Sequence, residues 1–126
     1  MKMSLEGLRV LVVEDEELIS MLLVDMLDQL GCVPVGPAAS LDEAWPLVDA
    51  RQFDVALIDV HLAGVPVFPL GERLLDNGIP IIVATGSGAD GLPPRFQDVM
   101  LLPKPYSFPA LEAALAGARA TTSESA

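Results

Sequence analysis

Four apolar runs in this chain stop at, or just before, a residue able to do chemistry. Leu8 to Val13 is followed by Glu14 and Asp15, Val55 to Ile58 by Asp59, and Ile79 to Ala84 by Thr85. Val99 to Leu102 is followed, after Pro103, by Lys104 and Pro105. The set comprises three carboxylates, one hydroxyl and one ammonium. Carboxylates crowded into a dry site cannot all stay ionised without a cation. Oxygen ligands with positions left open suit Mg²⁺, which keeps several waters and pairs with phosphate oxygens. Lysine and threonine are common partners of a phosphoryl group. A carboxylate nucleophile beside a cation and a lysine describes formation of an aspartyl phosphate.

Among the carboxylates, Asp59 is the candidate nucleophile. It closes Phe53-Asp54-Val55-Ala56-Leu57-Ile58, whose apolar part is continuous rather than alternating, the pattern of a parallel strand covered on both faces. In open α/β sheets, chemistry lies outside the carboxyl ends of the strands. The competing reading, that Asp59 caps a helix, is weaker because Pro66 suits the start of that helix better.

Such a site requires the runs to be neighbouring parallel strands, with helices between them. Glu14 to Glu17 open a first helix and complement its dipole, and Gly31 stops it. Leu18, Met21, Leu22, Val24, Met26, Leu27 and Leu30 recur at helical spacing and are read as its core side rather than as a binding groove. Cys32 to Gly36 is a short second strand. Ser40-Leu41-Asp42-Glu43 is a capping box for a second helix running to about Arg51. Val60 to Gly64 reads as a loop after Asp59. Pro66 then leads into a third helix through Leu70, Leu74 and Leu75, closed by Asn77-Gly78. Gly86 to Pro94 is too rich in glycine and proline for a regular fourth helix. Ser107 can cap a last helix through Leu111, Leu115 and Ala118. The alternation predicts a doubly wound α/β fold: a five-stranded parallel sheet, helices on both faces and an irregular or shortened fourth helix. In the flavodoxin-like order 2-1-3-4-5, strands one and three flank the switch point and bring Glu14, Asp15 and Asp59 to one crevice. Residues 1–120 read as one domain and 121–126, small and polar, as a flexible tail.

Composition narrows the field. The 126 residues are 52% hydrophobic, enough for one core, yet no run approaches the roughly 18 apolar residues that cross a bilayer. No apolar segment of a signal peptide follows Lys2. Cys32 is the single cysteine, which suits a reducing cytoplasm. A net charge of −11 argues against nucleic acid as a partner and suits a domain that accommodates a cation.

Other features carry less. Gly86-Ser87-Gly88-Ala89-Asp90-Gly91 matches a dinucleotide-binding spacing, but Pro93-Pro94 come where a helix should start. His61 stands alone, without cysteine or histidine neighbours that would make it a metal ligand. Trp45 reads as packing on the second helix. Tyr106 stays open between a switch residue and packing beside the last helix.

The acidic pair, Asp59, Thr85 and Lys104-Pro105, in this order and at these spacings, resemble a bacterial response-regulator receiver domain over roughly residues 7 to 118. The resemblance implies that Asp59 accepts a phosphoryl group from a histidine kinase or phosphotransfer protein. Glu14, Asp15, Asp59 and the backbone carbonyl of His61 would hold Mg²⁺, Thr85 and Lys104 would bind phosphoryl oxygens, and the Lys104-Pro105 bond would be cis. Two departures stand out. The aromatic switch position, three residues before the lysine, is Leu101, and Pro103 directly precedes Lys104. Val83-Ala84-Thr85-Gly86 is similar to the Phe-Ala-Thr-Gly motif of a subgroup that lacks the aromatic switch and often stands alone. The reading is therefore a stand-alone, cytoplasmic phosphoacceptor, monomeric or weakly dimeric and with no membrane partner. It is not an enzyme in its own right, beyond its own dephosphorylation, and it signals by binding another protein. The alternatives are a phosphate sink for a kinase, an aspartate-nucleophile phosphatase, or a pseudo-receiver that only binds partners. The phosphatase would want a second acid where His61 stands, and the intact Asp59, Thr85 and Lys104 disfavour the pseudo-receiver. With Leu101 unable to act as an aromatic switch, the segment Gly86 to Asp98 is expected to be weakly held and to order on phosphorylation.

Overall fold

In the computed structural model of the chain the described residues are 5–62, 64–86, 91–104 and 106–125; for His61 and 120–125 only the backbone is described. The apolar runs become the strands. β1 (Arg9–Val13), β2 (Val33–Ala38), β3 (Val55–Asp59), β6 (Ile81–Thr85) and β7 (Met100–Pro103) form one parallel sheet in the order β2-β1-β3-β6-β7. This is the expected order 2-1-3-4-5, once the two-residue strands β4 (His61–Leu62) and β5 (Val65–Pro66) are set aside as a small antiparallel hairpin. His61 and Leu62, expected in a plain loop, thus form the first strand of a hairpin directly after Asp59.

Alternate strand residues supply two cores, because successive side chains point to opposite faces of a sheet. Val10, Val12, Val55, Leu57, Ile82 and Leu102 pack beneath α1 (Glu17–Gln29) and α4 (Phe108–Ser125). Leu11, Val13, Ala56, Ile58, Ile81 and Val83 pack beneath α2 (Leu41–Ala50) and α3 (Phe68–Asp76). Each fully buried Leu or Ile contributes about 1.5–3 kcal/mol, which is why both faces of these strands are apolar. The Ser40 cap of α2 forms, its side chain accepting from the Glu43 N–H, while Glu43 Oε1 reaches back one residue beyond the N-cap and accepts from the Ala39 N–H at 2.8 Å. Trp45 is half-buried against the second core, with the Arg73 guanidinium over its ring.

The structure corrects several boundaries and one whole face. In α1 the buried residues are Ser20, Leu23 and Leu27, with Ile19, Met26 and Leu30 packed at the margin. Leu18, Met21 and Leu22 are 80, 60 and 42% exposed. Apolar residues occupy two stripes of this helix offset by one position, or about 100°, and only one stripe can face the sheet. The expected core stripe mixed the two. α3 begins at Phe68 rather than near Pro66, which is held in the hairpin, and Pro69 occupies its first turn. α4 runs to Ser125.

A 3₁₀ turn at Pro94–Phe96 stands where a fourth helix would lie. Phe96 is buried, its ring centroid 5.4 Å from that of Phe68, and it seats in a notch at Gly71, where a Cβ would come within 2.6 Å of the ring. Arg95 pairs with Glu72 and Asp76 of α3, and the Gln97 side chain donates to the Leu92 carbonyl. The second half of the segment expected to be weakly held is therefore anchored. Residues 87–90, and with them most of the Gly-x-Gly-x-x-Gly stretch, lie outside the described residues, as does Pro105 with the expected cis bond.

Candidate functional site: the carboxyl edge of the sheet

Strand register brings the chemical residues level. Val13 pairs with Ile58, so Glu14 and Asp15 leave β1 beside Asp59. Asp59 pairs with Ala84 and Thr85 with Pro103, so Thr85 closes β6 next to Asp59 and Lys104 leaves β7 next to Thr85. The Lys104 N–H donates to the Thr85 carbonyl at 3.2 Å, which ties the two strand ends together. Thr85 and Asp59 are buried, Asp15 is exposed, and Glu14 is buried with 2% of its surface accessible. Leu101 pairs with Val83 and packs against the core, so the aromatic switch position is filled by an aliphatic side chain.

The electrostatics follow from the count. Glu14, Asp15 and Asp59 each offer a carboxylate oxygen, and these lie within 4.8 Å of one another. Lys104 Nζ donates to Asp59 Oδ2 at 2.8 Å. Among the described residues, the Lys104 ammonium is bonded to Asp59, and Glu14 and Asp15 add two further carboxylates to the cluster. Burial, together with the charge of Asp59, pushes the Glu14 carboxyl up to about 6, although its contacts to Glu16, Lys104 and Tyr106 pull the other way. Burial alone would lower the Lys104 ammonium, but its hydrogen bond and charge pairing with Asp59 win, and its pKa is raised. A cluster of hard oxygens with excess negative charge fits a divalent cation such as Mg²⁺; Glu14, Asp15 and Asp59 are the residues that would hold it.

Every side chain nominated from the strand ends is brought to this edge. His61 follows two residues after Asp59 in β4, and its side chain lies outside the described residues. Two contacts were not foreseen. The Glu16 N–H donates to Glu14 Oε2 at 3.1 Å, and the Tyr106 hydroxyl donates to Glu14 Oε1 at 3.1 Å. The second spans 92 positions in sequence, and no local pattern encodes it. Its only signal was that Tyr106 follows Lys104 so closely that the two must share the site.

A doubly wound sheet with a carboxylate cluster and a lysine at its carboxyl edge defines a class: α/β proteins that handle phosphoryl groups with a cation. The sequence narrows this further. The profile of the response regulator receiver domain matches residues 10–116, and the chain belongs to that family, the signal-accepting module of two-component systems. It is 33% identical over 122 residues to the transcriptional regulatory protein PdtaR of Mycobacterium tuberculosis, which covers 90% of this chain. The chain spans 60% of the length of that relative. Among solved structures, the response regulator PhyR from Brucella abortus is 31% identical with a TM-score of 0.82, covering 94% of this chain and 50% of its own. SdrG from Pseudomonas melonis Fr1, in its BeF3-activated conformation, is 38% identical with a TM-score of 0.74, covering 86% of this chain and 92% of its own.

Proposed function

We propose that the protein is a phosphoacceptor switch: Asp59 takes a phosphoryl group from a phosphohistidine on a kinase or phosphotransfer protein, and the phosphorylated form acts by binding another protein. The observation that carries this reading is Lys104 Nζ at 2.8 Å from Asp59, with Glu14 and Asp15 crowding the same carboxylate. Asp59 Oδ attacks phosphorus, the bond from phosphorus to the histidine nitrogen breaks, and the imidazole leaves. Lys104 and the Thr85 hydroxyl receive the phosphoryl oxygens. Glu14, Asp15 and Asp59, with the His61 carbonyl, would hold Mg²⁺, which would supply neutralisation of charge on the transferring group. Hydrolysis of the acyl phosphate at the same residues resets the switch, so the protein passes a signal rather than turning over a metabolite.

Two further features support the reading. Leu22, exposed on α1, lines a cavity of about 370 Å³ with Glu16, Ile19, Lys104 and Tyr106. A donor protein can rest there while its histidine reaches Asp59. SdrG, which matches this chain over nearly its whole length, has a conformation activated by BeF3. A stand-alone role, as against one module of a longer regulator like the mycobacterial relative, is part of the proposal. The test is incubation with kinases carrying labelled phosphohistidine, following both transfer and decay. Transfer that is retained for minutes, and a partner captured only by the phosphorylated form, supports a switch. Transfer followed by immediate loss, with no partner, supports a phosphate sink instead. No transfer from any kinase or small phosphodonor overturns both.

A further inference from the structure

Glu14 sits in the wall of the site with its two oxygens committed to different donors, the Glu16 N–H on Oε2 and the Tyr106 hydroxyl on Oε1. A buried carboxylate with an unfilled oxygen loses both orientation and stability. The Tyr106 ring is half-buried against the α1–α4 core, and its hydroxyl reaches inward from there. Burial, and then the charges of Glu14 and Asp59, hold the phenol well above the usual tyrosine range, so it remains a donor at any physiological pH. The short stretch between β7 and α4 thus grips the acidic cluster twice: Lys104 holds Asp59 and Tyr106 holds Glu14. Ser107 accepts from the Ala110 N–H and starts α4 directly afterwards, which fixes the stretch at its far end.

We infer that Tyr106 is a positioning residue for the divalent-cation site, acting through Glu14: its hydroxyl sets the orientation of the carboxylate that faces the cation. The inference rests on the Mg²⁺ reading of the cluster. Groups that orient a metal ligand from outside typically change affinity 10–100-fold when removed. It also gives Tyr106 a part other than the two left open by the sequence, since the ring packs while the hydroxyl reaches the site.

Tyr106→Phe removes the hydroxyl and keeps the ring. The experiment titrates ¹⁵N-labelled wild type and variant with MgCl₂ alone, follows the amide spectrum, and measures the melting temperature of both without metal. The expected result is a Kd for Mg²⁺ raised about tenfold, a melting temperature lowered by no more than the loss of one hydrogen bond, and a displaced Glu16 amide resonance in the metal-free variant, because that N–H bonds the same carboxylate. Equal Kd values with saturable wild-type binding would overturn the inference and leave the metal reading standing. A weaker Kd with an unmoved Glu16 amide resonance would mean that the Glu14 carboxylate had kept its orientation, reduce Tyr106 to a packing residue and also overturn it. Wild type that does not respond to Mg²⁺ at all would remove both.

Discussion

Asp54 and Asp59 bracket one strand, β3, and the structure treats them in opposite ways. At the amino end, Asp54 Oδ2 accepts from the Arg9 N–H at 2.9 Å and from Arg9 Nε at 3.3 Å, Oδ1 accepts from Nη2 at 3.1 Å, and the Asp54 N–H returns a bond to the Arg9 carbonyl. The hydrogen bond from Arg9 holds the Asp54 carboxyl below its usual range. One acid meets one base that fits it bidentately, and the contact is closed. At the carboxyl end, Asp59 has one lysine and two neighbouring carboxylates, and the buried neighbour Glu14 is pushed up to about 6. A carboxylate at a strand end is therefore not in itself a site. Charge that the chain leaves unbalanced is what marks the end of the sheet at which a cation and a phosphoryl group are expected.

The sharpest way to break this comparison is to neutralise each aspartate separately. Asp59→Asn is expected to abolish labelling by any phosphodonor, while Asp54→Asn is expected to be labelled at the wild-type rate with a modestly lower melting temperature. Acid-stable, base-labile label surviving in Asp59→Asn would refute the assignment of the acceptor. Next in size is Asp15→Ala, which removes an exposed ligand without emptying the core. Its Mg²⁺ affinity should fall at least as far as for a lost outer-shell partner, on the order of 10–100-fold, read by titration with MgCl₂. An unchanged titration would place the cation elsewhere.

How much of this was legible in the sequence depends on the range of the interaction. The strand ends were legible because burial on both faces leaves continuous apolar runs, and a polar residue at the end of such a run stands out: Glu14, Asp59, Thr85 and Lys104 were all found this way. Alternation implied a doubly wound parallel sheet, while the order 2-1-3-4-5 is one of several that such a sheet can take. The working face of α1 was not legible, because Leu18 and Leu22 are as apolar as Leu23 and Leu27, and only the sheet decides between them. The Phe96 anchor was hidden as well. A glycine on α3 reads as a weak helix position until the aromatic ring that fills its notch, 25 residues later, is in place. The same limit hid the bond from Tyr106 to Glu14.

A third test reads the unbalanced charge through stability. The Glu14 carboxyl rises from an ordinary 4.5 to about 6 in the folded protein. Between those values the native state keeps a proton that the unfolded chain has released, so stability falls as pH rises through the window and is level above it. The loss is on the order of 1 kcal/mol after allowing for solvent screening. Urea unfolding of metal-free protein at pH 4.5 and pH 7 should show the fall in wild type and a smaller one in Glu14→Gln. Added Mg²⁺ should restore wild-type stability at pH 7, since it binds the ionised folded form. Parallel behaviour of the two proteins would mean that Glu14 is not the strained member of the cluster.

The smallest effect belongs to the closed end. Arg9 and Asp54 are partly exposed, their side chains 48 and 28% accessible, so water competes with the pairing and salt screens it. Arg9→Gln should lower the melting temperature by roughly a degree or two at low ionic strength. The difference should shrink toward zero as salt rises to about 1 M, where the screening length is only about 3 Å. The direction with pH is the reverse of that at Glu14. Asp54 is held below its ordinary value, so its contribution is complete above that value and is lost as pH falls through the lower one. Phosphoryl transfer and Mg²⁺ affinity should stay at wild-type values, because this pair lies at the opposite end of β3 from Asp59. A melting difference that persists undiminished in high salt would assign the contribution of Arg9 to the packing of its stem rather than to charge. A change in Mg²⁺ affinity would show that the two ends of β3 are coupled, and the contrast between them would then describe one electrostatic system instead of two.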